Sequence, residues 1–505
     1  MKNLDLLLVH PSGRKKIYQN LSEDFSAIEP PYVAALTANF IRNNGFSVKI
    51  LDANAEGYDI KETFDAIKQY NPSLISIIVH GQQPSASTQM MPGVGELCKH
   101  IKNNSNYKIL LTGNHPSALP EKTLREEYID FVGRGEGYDT HLALLQNTNL
   151  SKVPGLFYLE NGKLQFGINE RVLNSDEMNQ MLTTAAWDLL PMEKYKAHNW
   201  HCFDDIENRK PYASIYTSFG CGMGCTFCMI DDVFSIGQTQ KSRIRCRDPK
   251  IVVDEIENLV KNYGVKNLKF IDEMFVLNPK HYLEISNEII KRNLGKELNI
   301  WTYSRIDTVK EGNLDILKKA GINWFALGIE SGNNKVRQEV QKGKFNDVKI
   351  QDVVQKIKNA GIYAGCNYIF GLPEDTKESM QETLDLAIEL NGEWANFYSA
   401  MAYPGSELYR NAKKEKIKLP EDIEEIGWIG YSQHSYECYP LSTKNLSRSE
   451  VLKFRDEAFE KYFKGEKYLD MIKNKFGKKA EEHIKEMNKI KLKRKLFEFP
   501  GEKEK

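Results

Sequence analysis

Three cysteines, Cys221, Cys225 and Cys228, stand at C-x3-C-x2-C spacing in the stretch Ser218-Phe219-Gly220-Cys221-Gly222-Met223-Gly224-Cys225-Thr226-Phe227-Cys228. Three thiolates can hold three irons of a 4Fe–4S cluster and leave the fourth iron open to an outside ligand. The glycines let the backbone close round an inorganic cube where side chains would clash. Phe227, next to the last cysteine, is placed to shield one face. A structural zinc site would use the same thiolates but needs four ligands, and the nearest further candidates, Cys202 and Cys246, lack finger-like pairing. A chance group of buried cysteines is the other alternative.

Such a loop needs a frame. The strand-like run 213–217 leads into it, and strands are predicted after it at 266–272, 300–303, 324–330, 363–370 and 393–400. Helical patterns at 251–263, 281–292, 314–320, 348–360 and 380–390 separate them. Six strands, each but the last followed by a helix, predict an open (β/α)6 partial TIM barrel, with functional residues at the carboxyl ends of the strands. Those ends carry Asp272-Glu273, Ser304-Arg305, Gly328-Ile329-Glu330-Ser331-Gly332, Gly371-Leu372-Pro373-Glu374 and Tyr403-Pro404-Gly405-Ser406. An acid at such a position can also simply cap the next helix.

The first ~140 residues alternate in the same way. Strands at 6–9, 47–52, 74–79, 108–112 and 130–133 are separated by helices at 32–43, 60–70, 94–103 and from 121. This predicts a doubly wound, Rossmann-like parallel sheet that binds its ligand beyond the strand ends. Polar and glycine residues gather there: Asp52-Ala53-Asn54-Ala55-Glu56-Gly57, His80 to Ser85, Thr112-Gly113-Asn114-His115, and Gly133-Arg134-Gly135-Glu136-Gly137. The Gly-x-Gly-x-x-Gly phosphate fingerprint is absent after the first strand, which ends in His10-Pro11-Ser12-Gly13-Arg14.

The cysteine loop and its aromatic resemble the cluster loop of the radical S-adenosylmethionine (radical SAM) superfamily, and the domain ahead of it resembles the cobalamin-binding domain of many such enzymes. In that family the open iron chelates S-adenosylmethionine, and one electron cleaves it to a 5′-deoxyadenosyl radical. The resemblance implies that Cys221, Cys225 and Cys228 carry the cluster. It places S-adenosylmethionine against Phe227, Asp272 or Glu273 (its amino group), Ser304, Arg305 (its carboxylate), Glu330 (near the ribose or carboxylate), and Gly371 and Pro373 (adenine). For cobalamin it implicates Asp52, Asn54, Gly57 and Ser85, with Thr112, Gly113, Asn114, Gly133, Gly135 and Glu136 around the nucleotide tail. The usual signature there is Asp-x-His-x-x-Gly, whose histidine binds cobalt from below; here Asn54, a poor cobalt ligand, takes its place, and relatives bind cobalamin without that histidine. His80 and His115 face the same edge, where a lone histidine more often serves as a hydrogen-bonding residue.

The order of the two domains implies a cobalamin-dependent methyltransferase acting on an unactivated carbon of a small molecule, fed electrons by a reductant protein such as flavodoxin or ferredoxin. A cobalamin-dependent rearrangement or cyclisation, and a cobalamin-binding protein with a structural cluster, are the alternatives. The expected boundaries are 1–140 for the cobalamin domain, 141–210 for a linker, 211–410 for the radical core and 411–505 for a mostly helical region. The linker is expected to hold a hairpin around Glu160-Asn161-Gly162-Lys163 and a segment at Trp187 that passes over the crevice. The last region combines an aromatic patch at 428–439 with helices at 448–463 and 468–497, the basic run 489–495 being a solvated helix face.

Formal net charge is zero, so no overall field argues for nucleic acid. No run approaches the ~20 apolar residues of a membrane span. Five of the 8 cysteines are scattered without a disulfide framework, as in the reducing cytoplasm where the protein is expected.

Overall fold

The structure is a computed structural model that describes residues 3–81, 86–236, 242–340 and 349–498. Its first sheet contains β1 (Leu4–His10), β2 (Val48–Asp52), β3 (Pro72–Val79), β4 (Lys108–Gly113), β5 (Phe131–Gly133), β6 (Leu156–Glu160) and β7 (Lys163–Phe166). The order is β2-β1-β3-β4-β5-β6-β7, parallel through β5 and antiparallel beyond it. The expected hairpin thus extends the first sheet. Alternate side chains of β1 enter different cores: Leu6 and Leu8 pack with Ala35 and Leu36 of helix Tyr32–Asn43, and Leu7 and Val9 pack with Phe64, Ile67 and Val94. Burial on both faces is what makes these strands continuous apolar runs. The chain leaves β1 in opposite directions towards β2 and β3, and the crevice of such a sheet opens at that reversal.

The second sheet runs in chain order as β8 (Tyr212–Ile215), β11 (Asn267–Phe270), β12 (Asn299–Arg305), β13 (Ile322–Glu330), β14 (Tyr363–Phe370) and β15 (Trp394–Ser399), all parallel. Helices stand between successive strands, giving the open six-stranded barrel expected. A small antiparallel ladder, β9 (Ser218–Phe219) with β10 (Arg245–Cys246), closes the base of the cysteine loop. Helix Pro249–Tyr263 shows how firmly the local sequence sets these elements. Asp248 caps its start by accepting from Lys250 N, proline follows at the first position, and Gly264 ends it at φ +64°. Its face of Val252, Val253, Ile256 and Leu259 is buried.

Two expectations change in the connecting and C-terminal regions. Trp187 is buried in the joint between the two sheets and does not cover the crevice. Its indole donates to Glu255 Oε1 (3.0 Å), while Glu255 Oε2 accepts from Tyr32 Oη (3.0 Å) and from Arg247 (2.9 Å), both charged side chains being fully buried. The linker residues that do reach the cavity are His198, Asn199 and Trp200. Helix Arg448–Phe463 appears as expected, but 468–497 is not one helix. Gly477 at φ +87° separates Glu466–Phe476 from Lys478–Met487, and the basic run follows in irregular chain. There Arg494 is buried, pairing with Asp456 and donating to the carbonyls of Gln433 and Ser435 (3.0 Å each), and so tethers the run, while Lys489, Lys491 and Lys493 are exposed. Among the described residues, no helix is long and apolar enough to cross a membrane.

Candidate active site

The carboxyl ends of both sheets face one cavity of about 1140 Å³. From the first sheet it is lined by His10, Asn54, His80 and Gly81; from the barrel by Phe227, Cys228, Glu273 and Glu330. The cysteine loop is held by its surroundings. Gly220, at φ +80°, lies so close to Arg243 that a Cβ would meet that residue's carbonyl oxygen at 2.5 Å. Ser242 accepts from Cys221 N (3.1 Å) and donates to Cys221 O (2.6 Å), and Thr226 O accepts from Leu408 N (2.9 Å).

Burial pushes the Cys228 thiol well above its ordinary range, and the neighbouring Cys225 and Cys221 add to the effect. Iron replaces those protons when it binds. Among the described residues no three metal-ligating side chains converge on a single-ion site. Cys202 is buried in the core, and Cys246 Sγ accepts from Asn278 Nδ2 at 3.7 Å. Neither Cys202 nor Cys246 is therefore placed here as the fourth ligand that a zinc finger needs.

The structure separates the two acids at the end of β11. Asp272 is fully buried under the loop, accepting from Thr217 N, Thr217 Oγ1 and Ser218 Oγ, each at 2.6 Å. It anchors the chain entering the cysteine loop, which corrects its expected place beside S-adenosylmethionine. Glu273 enters the cavity. Its Oε2 is buried and has no hydrogen-bond partner among the described residues, and burial pushes its carboxyl up to about 8. A cationic amino group beside it would draw the value down again, so binding such a group and releasing a proton form one event. Glu330 reaches the cavity from a backbone at φ +68°, beside a break in the β13–β14 register. A bulky residue held in that conformation costs about 1–3 kcal/mol and typifies a functional site.

The remaining expected contacts divide. Phe227 lines the cavity. Arg305 is buried and held by Asp307 through Nε (2.9 Å) and Nη2 (2.8 Å), and Ser304 Oγ is buried without a partner among the described residues; neither lines the cavity. Gly371 sits at φ +82° where a Cβ would meet Val451 Cγ1 at 2.4 Å, and Pro373 O accepts from Lys444 N. These two residues seat the C-terminal region, while Leu372 between them reaches the cavity.

In the first sheet, Asp52 caps the single turn Ala53–Glu56 and Gly57 ends it at φ +76°, so two residues of the Asp-x-Asn-x-x-Gly run are helix caps and only Asn54 lines the cavity. Thr112, Gly113, Gly135 and Glu136 gather round a separate cleft of about 20 Å³, room for roughly one water and too narrow as it stands for a nucleotide tail. Glu136 pairs with Arg245 at 2.7 Å, and a Cβ on Gly133 would meet Thr112 Cγ2 at 2.9 Å. The Asn114 amide is buried, with neither polar atom hydrogen-bonded among the described residues. Ser85 lies outside the described residues. His80 bonds Tyr216 Oη (3.2 Å), which in turn donates to Glu273 Oε1 (3.5 Å). His115 lies edge-on to Trp428 at 4.5 Å, so the aromatic patch packs against the first domain.

Reading strand ends alone missed the barrel lumen. Lys269, Trp301, Tyr303, Asn367 and Asn396 point into the cavity from within the strands. Lys269 pairs with Glu29 at 3.2 Å and lies 4.5 Å from the Trp301 ring, and Asn396 donates to Asn367 at 2.8 Å. Their period-two spacing was the available signal.

A doubly wound sheet and an open six-stranded barrel face one chamber, with a three-cysteine loop at its wall. Sequence comparison agrees: residues 215–387 match the Radical SAM superfamily and residues 23–145 match the B12 binding domain. The chain is 31% identical to the "Uncharacterized methyltransferase PH0819" of Pyrococcus horikoshii over 83% of its own length and 85% of the relative's. Its fold is similar to the radical S-adenosylmethionine methyltransferase TsrM from Kitasatospora setae (TM-score 0.64, 18% identity, 82% of this chain and 75% of that one). It is also similar to the cobalamin-dependent S-adenosylmethionine radical enzyme OxsB (TM-score 0.67, 16% identity, 97% and 71%). The chain belongs to the radical SAM superfamily, among the members with a B12-binding domain, and is a radical SAM enzyme. That family's cofactors are a 4Fe–4S cluster, S-adenosylmethionine and cobalamin.

Proposed function

We propose that this enzyme transfers a methyl group to an unactivated carbon of a small biosynthetic substrate, taking electrons from a flavodoxin- or ferredoxin-type protein. The observation that carries the reading is the single cavity shared by the ends of both sheets. The relative from Pyrococcus horikoshii and TsrM both bear the name methyltransferase, which supports it.

In this reading Cys221, Cys225 and Cys228 would hold the cluster, Glu273 and Glu330 would receive S-adenosylmethionine, and Asn54, His80 and Gly81 would face cobalamin. When bound, these cofactors supply hydrogen abstraction and methyl delivery. The chain's own part is to orient and to exclude water. Glu273 offers its unpartnered oxygen to a cationic amino group. The lumen supplies an aromatic wall, Trp301 and Tyr303, with Lys269, Asn367 and Asn396 as polar contacts for a substrate. The domain boundaries near 210 and 410 belong to the same proposal, with the first domain taken past 140 through the hairpin that extends its sheet.

The test is anaerobic reconstitution with iron, sulfide and cobalamin, followed by reduction with S-adenosylmethionine and quantification of products. Retained corrinoid, with 5′-deoxyadenosine and S-adenosylhomocysteine that both vanish in Cys225→Ala, is the expected result. Products unaffected by that substitution would sink the reading. Deoxyadenosine without S-adenosylhomocysteine on the true substrate would assign rearrangement instead.

A further inference from the structure

Asp52 does hold a histidine, but one that arrives from another strand. β1 and β2 pair in a register that sets His10 opposite Asp52, at the carboxyl ends of both strands. His10 Nδ1 lies 2.9 Å from Asp52 Oδ1. The carboxylate is buried and otherwise engaged only as an acceptor, from Ala55 N (3.0 Å) and Tyr195 Oη (2.9 Å). It therefore fixes the imidazole proton on Nδ1 and leaves the lone pair on Nε2, which makes no hydrogen bond among the described residues. The ring lines the large cavity at the end of β1, the strand from which the sheet order reverses. A metal-binding imidazole is prepared in this way: one nitrogen on a carboxylate, the other presented to the ion.

Among the described residues, the other histidines at this edge do not rest on a carboxylate. His80 Nε2 bonds Tyr216, His115 Nδ1 contacts Thr88 Oγ1 at 3.3 Å beneath Trp428, and His141 is bonded at both nitrogens, to Ser76 and to the Gly137 carbonyl.

We propose that His10, through Nε2, is the lower axial ligand to the cobalt of the bound corrinoid, with Asp52 as its positioning residue. This rests on the cobalamin reading above. It also restores, through strand pairing, the acid–histidine couple that the Asp52-to-Gly57 run lacks.

The test is electron paramagnetic resonance of cob(II)alamin bound to the full chain, with its cluster in the diamagnetic oxidised state. An axial nitrogen splits each cobalt line into a triplet, and protein labelled with 15N-histidine turns the triplet into a doublet if a histidine is the ligand. The doublet is expected, and the splitting is expected to vanish in His10→Gln but to survive in His80→Gln. Asp52→Asn is expected to weaken corrinoid binding about 10–100-fold. A triplet insensitive to the label would assign the cobalamin's own base and overturn the proposal, as would a spectrum without nitrogen splitting. A splitting that survives in His10→Gln overturns it too. Each of those results leaves cobalamin binding intact, whereas a chain that retains no corrinoid brings down the cobalamin reading itself.

Discussion

Asp272 and Glu273 are adjacent acids with separate tasks, so substituting each should produce a different failure. Asp272→Ala removes the acceptor of a buried peptide N–H and two hydroxyls. A stranded buried donor costs about 1–3 kcal/mol. The hydroxyls can turn to other acceptors and the peptide group cannot, so a loss of about 1–3 kcal/mol is expected, a sizeable part of the ~5–15 kcal/mol that holds a typical domain together. Burial raises the Asp272 carboxyl while these hydrogen bonds lower it, so relief from desolvation offsets part of that loss. The assay is denaturant unfolding of the apoprotein, followed by iron analysis after reconstitution; both the midpoint and the iron content should fall. Glu273→Gln should keep both and weaken S-adenosylmethionine binding about 10–100-fold, the equivalent of one hydrogen bond to a charged group. An Asp272→Ala protein with wild-type midpoint and iron, but without S-adenosylmethionine binding, would refute the division of roles.

Glu255→Ala should destabilise the protein by about 3–5 kcal/mol, because it strands the buried Arg247 guanidinium, and limited proteolysis should then cut within 182–190. Gly371→Ala forces a Cβ against Val451 at positive φ and should cost about 3 kcal/mol, read as a lowered melting temperature, with normal iron content. His141 is held neutral by burial, its pKa lowered from 6.5 to about 4. Below pH 6.5 the unfolded chain takes up a proton that the folded one refuses until about pH 4, so stability falls by about 1.4 kcal/mol per pH unit across that window. His141→Gln should flatten the fall in urea midpoint between pH 6.5 and 4.5; an unchanged slope would refute the assignment.

Much of the frame was legible because its signals are local. Helices 32–43, 60–70 and 448–463 coincide with their expected bounds, since apolar spacing and caps lie within the segment itself. The cysteine loop was legible for the same reason. What escaped depends on contacts between distant parts of the chain. No spacing rule says that Asp272 turns under the loop while Glu273 turns into the cavity, or that Gly371 faces Val451. The pairing of His10 with Asp52 spans 42 residues and exists only because two strands lie in register. Trp187 looked like a lid residue because its flanks are irregular, yet its indole finds a buried carboxylate 68 residues away.

The joint at Glu255 has a bearing on how the reaction can be timed. Buried polar networks stiffen the parts they connect. Here one carboxylate gathers an indole, a phenol, a guanidinium and a peptide N–H from the first domain, the connector and the barrel. This contact ties the two halves of the chamber together at their joint. In the proposed reaction, cofactors and substrate would then meet between walls that are joined at this point. A substrate has to be shaped so that its target carbon can be served from both walls in turn.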